Sequence, residues 1–403
     1  MNILLFSHVE VSATPTAGGI QRVTQLLANA FIRECGYNVF HAFFSTNNDD
    51  AQIPFVDKIQ LTWGQEYEQL KPFLQRNEID FIIFQNILGG GEIQLKNVRS
   101  AADEAGNCKI IFCLHVAPDS CLTKPSLPAE FYRLTHWKIP KVCIKRLITG
   151  SLPRPLYNYL ALKQTRENFA IYNKYSDKIV LLSESHIETY CAISKIADKQ
   201  RVTAIPNPLT FDEFITGKEF AEKQNEVLIL CRLSERQKRV TESLKIWQKV
   251  QNQQVVKNWK LVIVGGGEDE AYIKKVAKNL KLNNISFKGF QPPLDYFKRT
   301  KIFMMTSAWE GFGMTLVEAQ QNGVVPMAFD SFTALHDIIE DNYNGIIVAN
   351  QDFMQFSEKL TDLIEDEEKR NFLAKNSMEM CKKFSTKNIV EQWNKLFEEM
   401  QKS

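Results

Sequence analysis

The stretch KIFMMTSAWEGFGMTLVEAQQNGVVPMAF, residues 301–329, decides how the rest of the chain is read. Two apolar runs, KIFMM (301–305) and VVPMAF (324–329), bracket a glycine turn and a helix-like segment. Continuous apolar runs of this length suit parallel strands buried on both faces. Strand, helix and strand in that order make the repeating unit of a doubly wound sheet.

The same alternation extends in both directions. EVLILC (226–231), WKLVIV (259–264) and NISFKG (284–289) join the opening stretch in one series. NILLF (2–6), NVFHAFF (38–44), IDFIIF (79–84), KIIFCL (109–114) and KIVLL (178–182) form an earlier one. After NILLF, Ile20, Val23, Leu26, Leu27, Ala30 and Phe31 recur at helical spacing and complete a βα unit. At 403 residues the chain exceeds the size at which one core keeps growing. The expectation is two successive doubly wound α/β domains, residues 1–205 and 206–385, with Pro206-Asn207-Pro208 as the linker because it resists helix. A helical tail follows from 386 to 403, with Ile389, Trp393 and Phe397 at helical spacing.

Composition narrows the class. An apolar fraction of 44% and a charged fraction of 24% are ordinary for a soluble globular protein. The net charge of +2 gives no argument for nucleic acid, and none is expected as a partner. The eight cysteines are scattered without a CxxC pair, and several sit in strand-like runs, so buried reduced thiols are expected rather than disulfides or zinc. MNILLFSHVE lacks a basic leading region, so no signal peptide is expected. No run approaches about 18 apolar residues, so no transmembrane helix is expected, and the expected location is cytoplasmic.

One segment departs from this average. Residues 121–165 carry eight Lys or Arg (124, 133, 138, 141, 145, 146, 154, 163) against Glu130 alone, a net +7. Phe131, Tyr132, Trp137, Ile139, Leu147, Ile148, Leu152, Leu156 and Tyr157 interleave with them. The segment reads either as a solvated basic insertion in the first domain or as a surface for anionic headgroups or a phosphorylated acceptor. In the second reading the protein sits peripherally at the inner face of the membrane.

Glu310 and Glu318 bracket the glycine turn of the opening stretch. Thr315-x-x-Glu318 before an apolar run has the form of a helix capping box. That reading leaves Gly311, Gly313 and Glu310 without a purpose. The alternative is a ligand: a helix N-terminus suits a pyrophosphate, and a carboxylate one turn on suits two vicinal ribose hydroxyls.

Glu310-Gly-Phe-Gly-Met-Thr-Leu-Val-Glu318 resembles the glutamate-seven-residues-glutamate motif of the retaining glycosyltransferases of family GT4. The resemblance runs along nearly the whole chain. It implies the GT-B fold: two doubly wound Rossmann-like domains with a cleft between them, closed by a C-terminal helix that returns to the N-terminal domain. In that family the first glutamate holds the donor sugar and the second holds the ribose, so Glu310, Phe312, Gly313, Met314, Thr315 and Glu318 are implied donor contacts. Gly18-Gly19 resembles the family's glycine loop, and His115, ending IIFCLH, the histidine at the reaction centre. Arg232 and Lys238 in CRLSERQK are similar to the basic pair that neutralises the diphosphate. IPNP (205–208) and LVIVGGG (261–267) are further landmarks, although Pro208 and Cys231 stand where members often carry glycine. GGGEDE (265–270) lacks the third glycine of a dinucleotide loop, and its acids would repel a pyrophosphate, so it reads as a strand-to-helix turn.

The function implied is retaining transfer of a hexose-type sugar from a nucleotide diphosphate, UDP by expectation, onto a glycan or lipid-linked acceptor in cell-surface polysaccharide synthesis. His115, Glu310, Arg232 and Lys238 are the implied catalytic residues. The chain has no Asp-x-Asp triplet, and neither a metal nor a cofactor beyond the nucleotide sugar as co-substrate is expected. Two alternatives share the fold: a nucleotide-sugar epimerase and a non-catalytic sugar-nucleotide-binding domain.

Overall fold

The computed structural model describes residues 1–11, 18–46, 53–85, 91–106, 108–136 and 140–402. Trp137, Lys138 and Ile139 of the basic segment lie outside them. The chain divides into two compact units: 1–119 with 162–210 and 384–403, and 120–161 with 211–383.

The first unit is built on a seven-stranded parallel sheet: β1 (Asn2–Phe6), β2 (Asn38–Phe43), β3 (Lys58–Gln60), β4 (Phe81–Gln85), β5 (Lys109–Leu114), β6 (Lys178–Leu181) and β7 (Val202–Ala204), in the order β3-β2-β1-β4-β5-β6-β7. The second holds six parallel strands: β8 (Gln224–Leu230), β9 (Lys260–Val264), β10 (Ile285–Phe287), β11 (Thr300–Met305), β12 (Val325–Asp330) and β13 (Ile346–Ala349), in the order β10-β9-β8-β11-β12-β13. Both are doubly wound, as their apolar runs require. The inner strands are buried almost throughout, Phe81–Gln85 and Ile302–Met305 being examples. The helices used below are α1 (Gly19–Arg33), α2 (Leu127–His136), α3 (Pro140–Ser151), α4 (Glu235–Lys238), α5 (Glu270–Asn279), α6 (Met314–Gln321) and α7 (Thr386–Lys402).

The tail helix α7 buries Ile389, Trp393 and Phe397 within the first unit. Trp393 and Phe397 meet Phe31 of α1 at ring-centroid distances of 6.0 and 5.8 Å, and Phe397 reaches Phe81 at 4.7 Å. Aromatic contacts of this geometry add about 0.5–1.5 kcal/mol each beyond area burial.

The basic segment is placed differently from expectation. Read from sequence as an insertion in the first domain, it groups from Ser120 to Ala161 with the second unit. Its helices α2 and α3 form a tight hairpin in which a Cβ on Gly150 would lie 2.6 Å from the Leu127 side chain. A buried ionic cluster explains where the hairpin docks. Arg133 of α2, only 3% exposed, forks onto Asp269 with Nε–Oδ1 at 2.7 Å and Nη2–Oδ2 at 3.2 Å. It also pairs with Glu130 at 3.1 Å and Glu268 at 3.2 Å. The acids of GGGEDE, expected only to repel phosphate, hold this arginine. Its charge, and most of that of Arg146, which lies 3.5 Å from Glu130 and 3.6 Å from Glu268, is therefore spent inside the protein.

Candidate active site

A doubly wound sheet opens a crevice where its strand order reverses, outside the carboxyl ends of the strands. In the second unit the reversal falls between β8 and β11. The segments leaving those two strands are CRLS (231–234) and TSAWEGFG (306–313), which carry Arg232 and Glu310. Topology alone therefore brings together residues that lie 78 positions apart in sequence.

The β8 segment is shaped by the glycine turn after β9. A Cβ on Gly265 would stand 1.9 Å from the Cys231 carbonyl oxygen, and one on Gly267 2.5 Å from that of Leu233. Both glycines also have positive φ, 128° and 159°, so no other residue fits there. The turn joins strand to helix as its sequence implies, with Asp269 at the N-terminus of α5. Cys231 is not among the residues with positive φ, so a cysteine is accommodated there.

From this anchored segment α4 projects Gln237 and Lys238. The Lys238 Nζ lies 2.5 Å from Glu310 Oε1, with both side chains largely buried. Gln237 donates to the Trp309 carbonyl at 3.4 Å and to Glu310 Oε2 at 3.5 Å, and it accepts from Arg232 Nη2 at 3.1 Å. The Ala308 amide donates to the Gln237 carbonyl at 2.6 Å. Arg232, Lys238 and Glu310, singled out from sequence, thus form one network. Gln237, which sequence reasoning passed over, is its centre. The only available signal was its place beside Lys238 in a basic motif, where an amide looks like ordinary surface.

Helix α4 ends at Arg239, whose φ of 47° is left-handed, and a new helix begins at Val240. A non-glycine residue in that conformation carries strain that the surroundings must hold. Thr306 of the β11 segment does so by bonding the Lys238 and Arg239 carbonyls at 3.2 and 3.1 Å. The kink turns Lys238 toward Glu310 instead of continuing the helix.

The capping reading of Thr315 and Glu318 fails. Helix α6 begins at Met314, and Gly313, with φ 98° and ψ 43°, is its N-cap. Thr315 is already inside the first turn, so it caps nothing. Gly313 is favoured by its φ, and a Cβ there would also press on the Leu316 side chain at 3.2 Å. By helix geometry the amides of Met314 and Thr315 have no acceptor within the helix and point out of its end. Glu318 follows one turn on, 1% exposed. Phe312 is 3% exposed, so its side chain is core and only its backbone borders the turn.

The remaining sequence-predicted residues belong to the first unit. Gly18 is the N-cap of α1 and Gly19 its first residue. No described atom lies within 4 Å of where a Cβ on either would sit, so crowding within the fold does not demand glycine there. His115 follows β5, and its Nε2 lies 2.5 Å from Oε1 of Gln85, the last residue of the neighbouring strand β4. Burial lowers the His115 pKa to about 4, so the ring is neutral near pH 7 with Nε2 donating to Gln85 and Nδ1 left as the acceptor.

Residues 210–380 match the family model described as glycosyl transferases group 1. The match is to a domain lying almost wholly within the second unit. That domain contains every member of the network above and the whole of α6. The chain is 33% identical over 224 residues to the amylovoran biosynthesis glycosyltransferase AmsD of Erwinia amylovora, covering 54% of this chain and 61% of AmsD. It is 28% identical over 202 residues to an N-acetyl-D-galactosaminyltransferase of Campylobacter jejuni named for an undecaprenol-diphosphate-linked acceptor, covering 50% of this chain and 55% of that one. The matched region is thus somewhat over half the length of these relatives. HepE of Anabaena, solved with UDP and glucose, superposes with a TM-score of 0.71 at 15% identity, covering 99% of this chain and 100% of HepE. The fold is GT-B, as the resemblance of the motifs implied.

Proposed function

We propose that this protein is a retaining, metal-independent glycosyltransferase that moves a hexose-type sugar from UDP to a glycan or lipid-linked acceptor. The observation that carries the reading is the Arg232–Gln237–Glu310–Lys238 network at the sheet reversal, set beside the amide-bearing start of α6. Cleaving a nucleotide-sugar bond leaves charge on the diphosphate, and fixed cations with helix amides aimed at it lower the barrier. Arg232, exposed and forked, suits phosphate oxygens. Glu310, held by Lys238 and Gln237, suits sugar hydroxyls, and Glu318 suits the ribose. Gly18, Gly19 and His115 keep in this proposal the roles their resemblance gives them. Relatives named for amylovoran and for an undecaprenol-linked substrate support a surface polysaccharide as the product. The test is to incubate the full chain with a panel of nucleotide sugars and acceptors, following nucleoside diphosphate release and the anomeric configuration of the product by NMR. Release from no donor rejects the reading, and an inverted product rejects retention.

Substituting Glu318 isolates the ribose contact. With capping excluded, Glu318→Gln is expected to weaken UDP binding by about 1 kcal/mol or more, the loss of a charged acceptor, while thermal stability changes little. Calorimetric titration of UDP into folded wild type and variant is the measurement. Equal affinities would remove Glu318 from the site.

The proposal extends to a peripheral contact with anionic membrane through α3. Periodicity places Lys141, Ile144, Lys145 and Ile148 on one face of α3, while Cys143 points inward at 3% exposure. Ile144 and Ile148 are 45% and 62% exposed, and Phe131 on α2 is 62% exposed. Exposed apolar side chains interleaved with lysines match an interface of acyl chains below phosphates. Each lysine near such a surface contributes about 1 kcal/mol. Lys141→Gln/Lys145→Gln should therefore sediment with anionic vesicles some 30-fold less readily at low salt, a loss of about 2 kcal/mol. Negligible sedimentation of the wild type would leave a soluble acceptor.

A further inference from the structure

The segment that carries the hairpin α2–α3 meets the candidate site along two short paths. Asp269, fully buried, receives the Arg133 fork on one side. On the other, its Oδ2 accepts the backbone N–H of Glu235, the first residue of α4, at 2.7 Å. Its own amide donates to the Leu233 carbonyl at 3.0 Å. A second tie runs beside the first. Arg236 Nε and Nη2 donate to the Thr123 carbonyl at 3.1 and 3.0 Å, and the Tyr157 hydroxyl donates to that same carbonyl at 2.9 Å.

Helix α4 is a single turn, too short to hold its own direction. Its start is fixed by Asp269 and Arg236, and its end presents Gln237 and Lys238 to Glu310. We propose that Arg133 is a positioning residue of the donor site: by fixing Asp269 it sets the start of α4 and hence the placement of Gln237 and Lys238. The hairpin is then a structural part of the donor site.

Charge supports the assignment. Arg133 faces Glu130, Glu268 and Asp269, and Arg146 adds a second cation at the rim. Burial raises the pKa of both Glu130 and Asp269. Removing Arg133 would leave these carboxylates buried without their main counter-charge. Asp269 would then take a proton or turn toward water, and either change loosens its hold on the Glu235 amide.

This inference rests on the donor reading proposed above, and the experiment separates the two. Wild type, Arg133→Lys and Arg133→Met are compared for UDP affinity, for donor KM and kcat, and for hydrogen exchange at residues 234–238, with circular dichroism as the folding control. Arg133→Met is expected to weaken UDP binding and raise donor KM roughly tenfold, and to speed exchange at 234–238. Arg133→Lys keeps the charge but not the fork, so it should shift both in the same direction by less; it also serves if Arg133→Met does not fold. Wild-type UDP affinity and exchange in a folded Arg133 variant would overturn the positioning role. A wild type that binds no UDP would reject the donor reading, and exchange at 234–238 would still decide the clamp.

Discussion

Arg232→Ala is expected to reduce donor turnover by about 100- to 1,000-fold, the loss typical of removing one fixed donor from a developing negative charge. The side chain is exposed at the end of β8 and bonds only Gln237 among the described residues, so its removal should leave the fold intact. The expected pattern is a fall in kcat/KM for donor hydrolysis with a weakened UDP affinity and an unchanged melting temperature. Wild-type kinetics in a folded variant would remove Arg232 from the diphosphate site.

Lys238→Met should be nearly as damaging and should also cost stability. Glu310 is 7% exposed, and Lys238 is its counter-ion at 2.5 Å. Breaking such a pair by deleting one partner typically costs about 3–5 kcal/mol, and partial exposure places this one at the low end. Neutralising the partner separates structure from chemistry. Lys238→Met/Glu310→Gln should recover much of the lost thermal stability and none of the lost turnover. Recovery of activity in the double variant would mean that the pair serves the fold alone. Wild-type turnover in the single variant would mean that Lys238 takes no part.

Much of this arrangement was legible in the sequence because it depends on burial. Ten strands showed as apolar runs, most of them inner strands covered on both faces. The three that escaped notice, β3, β7 and β13, all lie at sheet edges. An edge strand has one neighbour and needs only a short, mixed sequence, as in KIQ and VTA. The two glutamates, the basic pair and the glycine turn were legible because charged residues and glycines stand out between apolar runs, and the fold brings Arg232, Lys238 and Glu310 together. The capping box misled because the pattern does not reveal where a helix starts; the positive φ of Gly313 moved that start two residues upstream.

The hairpin was the larger surprise. Its composition reads as a basic surface, yet Arg133 is among the most buried charges in the protein. Nothing local to Arg133 announces this. Besides nearby Glu130, the partner that takes its fork, Asp269, lies 136 residues away in a run of acids that looked inert. A buried ion pair is a non-local agreement between two segments, and each half alone resembles solvated surface.

The central claim is that the reversal between β8 and β11 binds a nucleoside diphosphate with its own cations. The direct measurement is calorimetric titration of UDP into the full chain in EDTA, with Arg232→Ala alongside. The account predicts one saturable site in the wild type that survives chelation and is weakened about tenfold or more by the substitution. A wild type that binds no UDP, or binds it as well without Arg232, would contradict it.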